Sequence, residues 1–169
     1  MSRAFVKEDG GADALPEVRA RGGGLPPGTP NLATPRSAAA LREELAALAA
    51  ERQGLEGADT GLALERKRRL DAEIRALDAY VGTLEVVPVP VAPTRAAFGT
   101  RVTLAGDDGE RVVAIVGVDE ADPAAGAVSF VSPLGRAILG AEVGDEVVVA
   151  LPAGEEVFEV VAVVALDHG

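Results

Sequence analysis

The sequence has no cysteine and no tryptophan, and only one histidine, one tyrosine and four phenylalanines. Without cysteine there can be neither a disulfide framework nor thiolate chemistry, and His168 alone cannot furnish a structural zinc site. His168 reads as a tail residue. So small a set of aromatics argues against a surface that binds nucleic acid by stacking bases on rings. No apolar run reaches the length of about 18 residues that a membrane span needs, and Met1 to Lys7 lacks the apolar centre of a signal peptide. The expectation is a cytoplasmic protein with no membrane partner. Basic residues are scarce towards the C-terminus: residues 85–169 hold four against fourteen acidic ones, whereas residues 1–33 hold four and four and residues 34–84 eight and nine. Nearly all of the net charge of −11 therefore sits in the last segment, which disfavours direct contact with a phosphate backbone and favours a basic protein surface.

What is present falls into three parts. Residues 1–33 are punctuated by Gly10-Gly11, Gly22-Gly23-Gly24 and Pro26-Pro27-Gly28-Thr29-Pro30. Such a composition buries too little to offset the entropy of ordering, so a disordered tail is expected, with Phe5 as its one candidate for a short motif. Thr34 followed by Pro35 is a helix start, a hydroxyl cap ahead of a proline whose missing N–H costs nothing there. Ala38, Leu41, Leu45, Leu48 and Leu55 then follow the three-four spacing of a coiled-coil seam, with Arg52 in the remaining slot. Gly54, Gly57 and Gly61 interrupt it. A second seam runs through Ala63, Lys67, Leu70, Ile74, Leu77, Val81 and Leu84. Two such stripes joined by a glycine-rich turn predict an antiparallel helical hairpin over residues 34–84.

Residues 85–169 change from helical to strand periodicity. Glu85 to Val91 is extended but carries Pro88 and Pro90, which confine it to an edge or a linker. Valine-rich stretches at Arg101–Leu104, Arg111–Val118, Ala127–Val131, Glu146–Ala150 and Glu155–Ala165 predict strands. Asp107-Asp108-Gly109 and Pro152-Ala153-Gly154 are hairpin-turn signals between them. Ser132-Pro133 opens the one short helix, which Gly140 closes. The fold class is therefore α+β, a helical hairpin followed by a mostly antiparallel β domain with one short helix.

The segments Phe98-Gly99-Thr100-Arg101-Val102, Asp107-Asp108-Gly109, Ile115-Val116-Gly117-Val118-Asp119-Glu120, Ser132-Pro133-Leu134-Gly135-Arg136-Ala137-Ile138-Leu139-Gly140, Val143-Gly144-Asp145-Glu146-Val147 and Leu151-Pro152-Ala153-Gly154 resemble, in order and spacing, the GreA/GreB transcript-cleavage family. In the hairpin Thr34-Pro35, Leu41-Arg42-Glu43-Glu44-Leu45 and Leu70 to Leu84 agree as well. The first 30 or so residues have no counterpart. The resemblance implies an FKBP-like C-terminal domain that docks on RNA polymerase through Phe130, Val131, Ser132, Pro133 and Leu134, and a coiled coil that points along the enzyme's secondary channel. Val131 stands where the family often has an Asp.

Active members of the family carry two tip carboxylates, an Asp and a Glu about one helical turn apart, which help to hold a second magnesium ion at the polymerase active site. A hard cation wants oxygen ligands, and two metals stabilise both oxygens exchanged in phosphodiester hydrolysis. Here Gln53 stands in the place of the Asp. Glu56 remains and Asp59 is close by, so these two are the candidate tip residues. The first helix is also shorter by about three turns. The basic run Arg66, Lys67, Arg68 and Arg69 matches a family face that lies near the RNA 3′ end. An equally good reading pairs it with Glu43, Glu44 and Glu65 along the coiled coil.

The expectation is a monomeric regulator that binds RNA polymerase, with no cofactor of its own and no full cleavage-stimulating activity. It is no enzyme, and at most it stimulates the RNA cleavage intrinsic to the polymerase by sharing that enzyme's magnesium. The competing readings are an active cleavage factor, a peptidyl-prolyl isomerase lacking the aromatics for its pocket, and an unrelated coiled-coil adaptor.

Overall fold

The computed structural model describes Arg21 and residues 23–167. Phe5, His168 and most of the expected tail lie outside the described residues. Order begins earlier than the expected boundary, because Asn31–Ala33 forms a strand, β1, with Asn31 and Ala33 buried. Helices α1 (Pro35–Gly54) and α2 (Gly61–Val81) follow, then strand β2 (Leu84–Val86). β1 and β2 pair in parallel, with Asn31 opposite Leu84 and Ala33 opposite Val86. Parallel neighbours need a long crossover. The crossover here is the helical hairpin itself, so both of its ends are fastened in one two-stranded ladder.

The hairpin starts as its sequence predicts. Thr34 is extended (φ −70°, ψ 155°), its hydroxyl accepts from Ser37 N, and Pro35 occupies the first turn. Thr60 caps α2 in the same way, accepting from Ala63 N. Ala38, Leu41, Leu70 and Leu77 are buried, while Leu45, Leu48, Leu55, Ile74 and Val81 are half-buried. The seam positions hold except Leu84, which lies past the end of α2 in strand β2, and polar groups occupy the outer half of the seam. Arg52 Nε reaches Asp71 Oδ1 at 2.8 Å, and Lys67 Nζ donates to the Ala58 carbonyl at 2.8 Å across the turn.

The second part is a five-stranded sheet in the order β5-β4-β3-β7-β6, made of β3 (Thr100–Gly106), β4 (Gly109–Val116), β5 (Ala127–Ser129), β6 (Glu146–Leu151) and β7 (Gly154–Ala165). All pairs are antiparallel except β4–β5. The turn signals fall where expected: Gly106 pairs with Gly109 and Leu151 with Gly154, leaving two-residue connections at Asp107-Asp108 and Pro152-Ala153. Gly109 and Gly154 take φ of +105° and +136°, which a side chain would oppose. Ala127–Val131 is shorter as a strand than expected, because the chain leaves the ladder after Ser129 to cap α3 (Pro133–Ile138).

Val102, Leu104, Val113, Ile115, Val147, Val149, Phe158 and Val160 face one side of the sheet and bury there against Ile138 of α3. Burial of each such side chain contributes about 1.5–3 kcal/mol. The α+β class expected from the sequence is the architecture observed. Among the described residues no helix is long and apolar enough to cross a membrane.

Candidate functional site

Three places gather the chemistry-bearing residues: the loop before α3, the tip of the hairpin, and the joint between hairpin and sheet.

The loop is built by hydroxyls. Ser132 Oγ donates to the Ser129 carbonyl at 2.7 Å and accepts from Gly135 N at 3.0 Å, closing the first turn of α3. Val131 N donates to Ser129 Oγ at 3.3 Å, and Phe130 N to the Val116 carbonyl at 3.0 Å. Gly135 is buried, and a Cβ there would overlap the Ser129 carbonyl oxygen. Phe130 sets its edge on Phe98 with centroids 5.8 Å apart and planes at 79°. Pro133 is exposed, while Phe130, Val131, Ser132 and Leu134 are half-buried. Leu134 also borders an open groove of about 460 Å³ with Val113, Pro123, Val128 and Arg111. The structure thus brings Phe130 to Leu134 into one hydrogen-bonded ridge beside a groove that Arg111 and apolar residues line. Arg111 lies across the Phe158 ring, 4.1 Å from its centroid. The three described phenylalanines are packed on one another, as Phe98 and Phe130 are, or under Arg111, as Phe158 is. Neither this groove nor the cleft of about 440 Å³ at the hairpin base is lined by one, as a prolyl isomerase pocket would be.

At the tip, Gln53 lies in the last turn of α1, and its carbonyl accepts from Glu56 N at 3.0 Å. Gly57 turns the chain with φ +79°. Gln53, Glu56 and Asp59 are all exposed. Among the described residues no group of three acidic or histidine side chains is placed to hold a metal ion. The basic run behind the tip is divided. Arg66 pairs with Glu51, Nη2 to Oε1 at 2.7 Å, and Lys67 is spent on the Ala58 carbonyl. Among the described residues Arg68 and Arg69 form no ion pair, and Arg68 is exposed. Of the acidic partners expected for this run, Glu44 is taken by Arg21 at 2.6 Å.

The joint was not foreseen from the sequence as a site. Glu120 accepts from Thr34 N at 2.9 Å and from the Thr34 hydroxyl at 2.6 Å, linking the start of α1 to the loop after β4. Gly117 allows the approach, since a Cβ there would overlap the Leu32 carbonyl of β1. Asn31 Nδ2 donates to Thr83 Oγ1 at 3.0 Å, and Thr83 in turn to the Tyr80 carbonyl at 2.7 Å. Burial, reinforced by a side-chain hydrogen bond with Asp119, pushes the Tyr80 phenol up to about 12. The signal was present as Thr34 and Asp119-Glu120, but no local pattern pairs residues 86 positions apart.

Comparison with known proteins adds a second line. Residues 91–165 match the family model described as transcription elongation factor, GreA/GreB, C-term. The chain is 36% identical over 141 residues to transcription elongation factor GreA of Desulfovibrio desulfuricans, covering 73% of this chain and 87% of that protein. It is 38% identical over 153 residues to transcription elongation factor GreB of Pseudomonas aeruginosa, covering 80% and 90%. Among solved structures, the GreA factor homolog 1 (Gfh1) protein of Thermus thermophilus is 24% identical and superposes with a TM-score of 0.39, over 81% of this chain and all of that one. A superposition that loose adds nothing to the sequence match.

Proposed function

The chain belongs to the GreA/GreB family of transcription elongation factors, and from that membership we propose that it binds RNA polymerase and regulates elongation through the enzyme's secondary channel without full cleavage-stimulating activity. The ridge Phe130 to Leu134 docks at the channel rim, and the hairpin points inward. A monomer inside the cell suffices for this arrangement.

The observation that carries the reading is the tip. A neutral amide, Gln53, stands in the last turn of α1 where a carboxylate would be needed, and arms of 20 and 21 residues reach only about 30 Å. Glu56 and Asp59 are the only acidic side chains between Gln53 and Gly61. They offer their oxygens to a magnesium ion that the polymerase holds, and a single well-placed carboxylate retains such an ion weakly. The hairpin then acts mainly by occupying the channel. Arg68, exposed behind the tip, and its half-buried neighbour Arg69 supply positive charge for the nascent RNA 3′ end.

Core polymerase immobilised on resin, challenged with the full chain at moderate salt, tests binding. Retention is expected, weakening as salt rises. Backtracked elongation complexes test the second half: little release of short 3′ RNA is expected from the wild type, and more from Gln53→Asp. Strong release by the wild type that Glu56→Ala abolishes would establish an active cleavage factor instead. No retention at all would leave a coiled-coil adaptor with another partner.

A further inference from the structure

The sheet has two faces, and the one turned away from α3 is unusual. Antiparallel sheets with one side on the core expose polar residues on the other. Here Val112, Val148, Val157, Val161 and Val164 point outward and are 40–55% exposed. The register places them together. Val148 stands opposite Val157, Val164 opposite Arg101, and Val112 opposite Thr103, whose other neighbour is Ala162; the irregularity in the β3–β7 ladder beside Thr103 leaves Val161 without a β3 partner.

A line of carboxylates crosses this apolar field. Glu110 is opposite Ala105, Ala105 is opposite Glu159, and Glu159 is opposite Glu146, so the row spans β4, β3, β7 and β6. All three glutamates are exposed. Like charges directly opposite across a ladder destabilise it, so Glu146 and Glu159 are held in an arrangement that the free protein does not favour. Arg101, on the same face of β3, is engaged by Asp167 at 3.1 Å.

We propose that this outer face is a docking site for a basic amphipathic segment of a protein partner. A row of Lys or Arg lies along Glu110, Glu159 and Glu146, and apolar side chains on either side cover the valines. Charge selects this occupant. Nucleic acid would bring phosphates to the carboxylate row, and a second copy facing the first would bring its own glutamates. Apart from Val112, which also lines the groove beside Leu134, the face lies on the opposite side of the sheet from Phe130 to Leu134, so the carboxylate row and the other valines remain available while that ridge is engaged. It goes beyond polymerase binding and does not depend on it.

The probe is a helical leucine–lysine peptide about five turns long, with its lysines in one central row, titrated against the full chain by fluorescence anisotropy. A scrambled peptide of equal charge serves as control. Saturable binding is expected for the patterned peptide, about tenfold or more tighter than for the scrambled one. Two double variants, E146Q/E159Q and V148T/V157T, are each expected to weaken it by a similar factor, and threonine keeps the strand propensity. The glutamine pair should at the same time raise the melting temperature of the free chain, because it relieves the cross-strand repulsion; a residue pair that served only to hold the fold would lower it. Equal affinity for both peptides, or no loss in either double variant, overturns the proposal. So does saturable binding of an RNA oligonucleotide that V148T/V157T abolishes, or a dimer in sedimentation equilibrium that the same variant dissolves.

Discussion

Glu120 accepts two bonds from Thr34 at once, one from the Thr34 backbone N–H at 2.9 Å and one from the Thr34 hydroxyl at 2.6 Å. A carboxylate at the start of a helix satisfies a free donor and complements the positive end of the helix dipole. Here the carboxylate comes from the other part of the molecule. The Thr34 hydroxyl, donating to Glu120, still accepts from Ser37 N at 3.2 Å, so one side chain both caps α1 and moors it.

Glu120→Ala is therefore expected to cost about 1–3 kcal/mol, since Thr34 loses its acceptor in a partly buried place. Thr34→Ala loses the cap as well, a further term of about 1 kcal/mol. The two losses should not add, because they share a bond. Urea unfolding of the two single variants and the double variant reads this coupling. Fully additive losses would mean that the pair of bonds contributes nothing.

Tyr80 is the only tyrosine, so near-ultraviolet absorbance during an alkaline titration reports it alone. Its phenol is held protonated up to about 12, against an ordinary 10.0, first by burial and then by the bond with Asp119. The folded state binds this proton more tightly than the unfolded state. Its contribution to stability is complete below pH 10 and is lost as pH rises to about 12. Tyr80→Phe should remove that alkaline loss, while lowering stability below pH 10 through loss of the bond to Asp119. A midpoint near 10 in the native chain would show that the phenol is solvated.

Gly135→Ala should destabilise by about 1–3 kcal/mol, as overpacking does, because the new methyl overlaps the Ser129 carbonyl. The strain falls on the bonds through which Ser132 shapes the ridge, so affinity for core polymerase should fall even where the domain is still folded. Thermal melting and polymerase retention, measured together, check both halves. Retention equal to wild type would remove the ridge from the interface.

Arg68→Ala with Arg69→Ala should leave binding to core polymerase nearly unchanged and weaken binding to a complex that contains backtracked RNA. The salt dependence of that second affinity should flatten by about 0.7 in log–log slope for each phosphate that is no longer neutralised. Arg66→Ala serves as the contrast, because Arg66 is already paired with Glu51. A larger effect from Arg66 than from Arg68 and Arg69 would refute this division of the run.

Much of the fold was legible because its signals are local. Thr34-Pro35 and Ser132-Pro133 start helices by cap chemistry within one turn, and both do so here. The turns at Asp107-Asp108-Gly109 and Pro152-Ala153-Gly154 require positive φ at glycine and fix two hairpin registers. The spacing of Leu41, Leu70 and Leu77 marked their shared seam. Gln53, Glu56 and Asp59 could likewise be assigned to the tip, since a turn between two helices has nowhere else to go.

What the sequence determined, then, were elements whose cause lies within a few residues of their effect: the Thr34 and Ser132 caps, the two hairpin turns, most of the seam and the strand periodicity. Tertiary structure alone decided that Asn31–Ala33 is a strand, since a three-residue ladder is stable only when Leu84–Val86 is brought beside it. It alone joined Thr34 to Glu120, split the basic run into engaged Arg66 and Lys67 and outward Arg68, and set Glu146 against Glu159. Each of these joins positions far apart along the chain. Its energy is realised only after chain entropy has been given up elsewhere, and no local pattern records it.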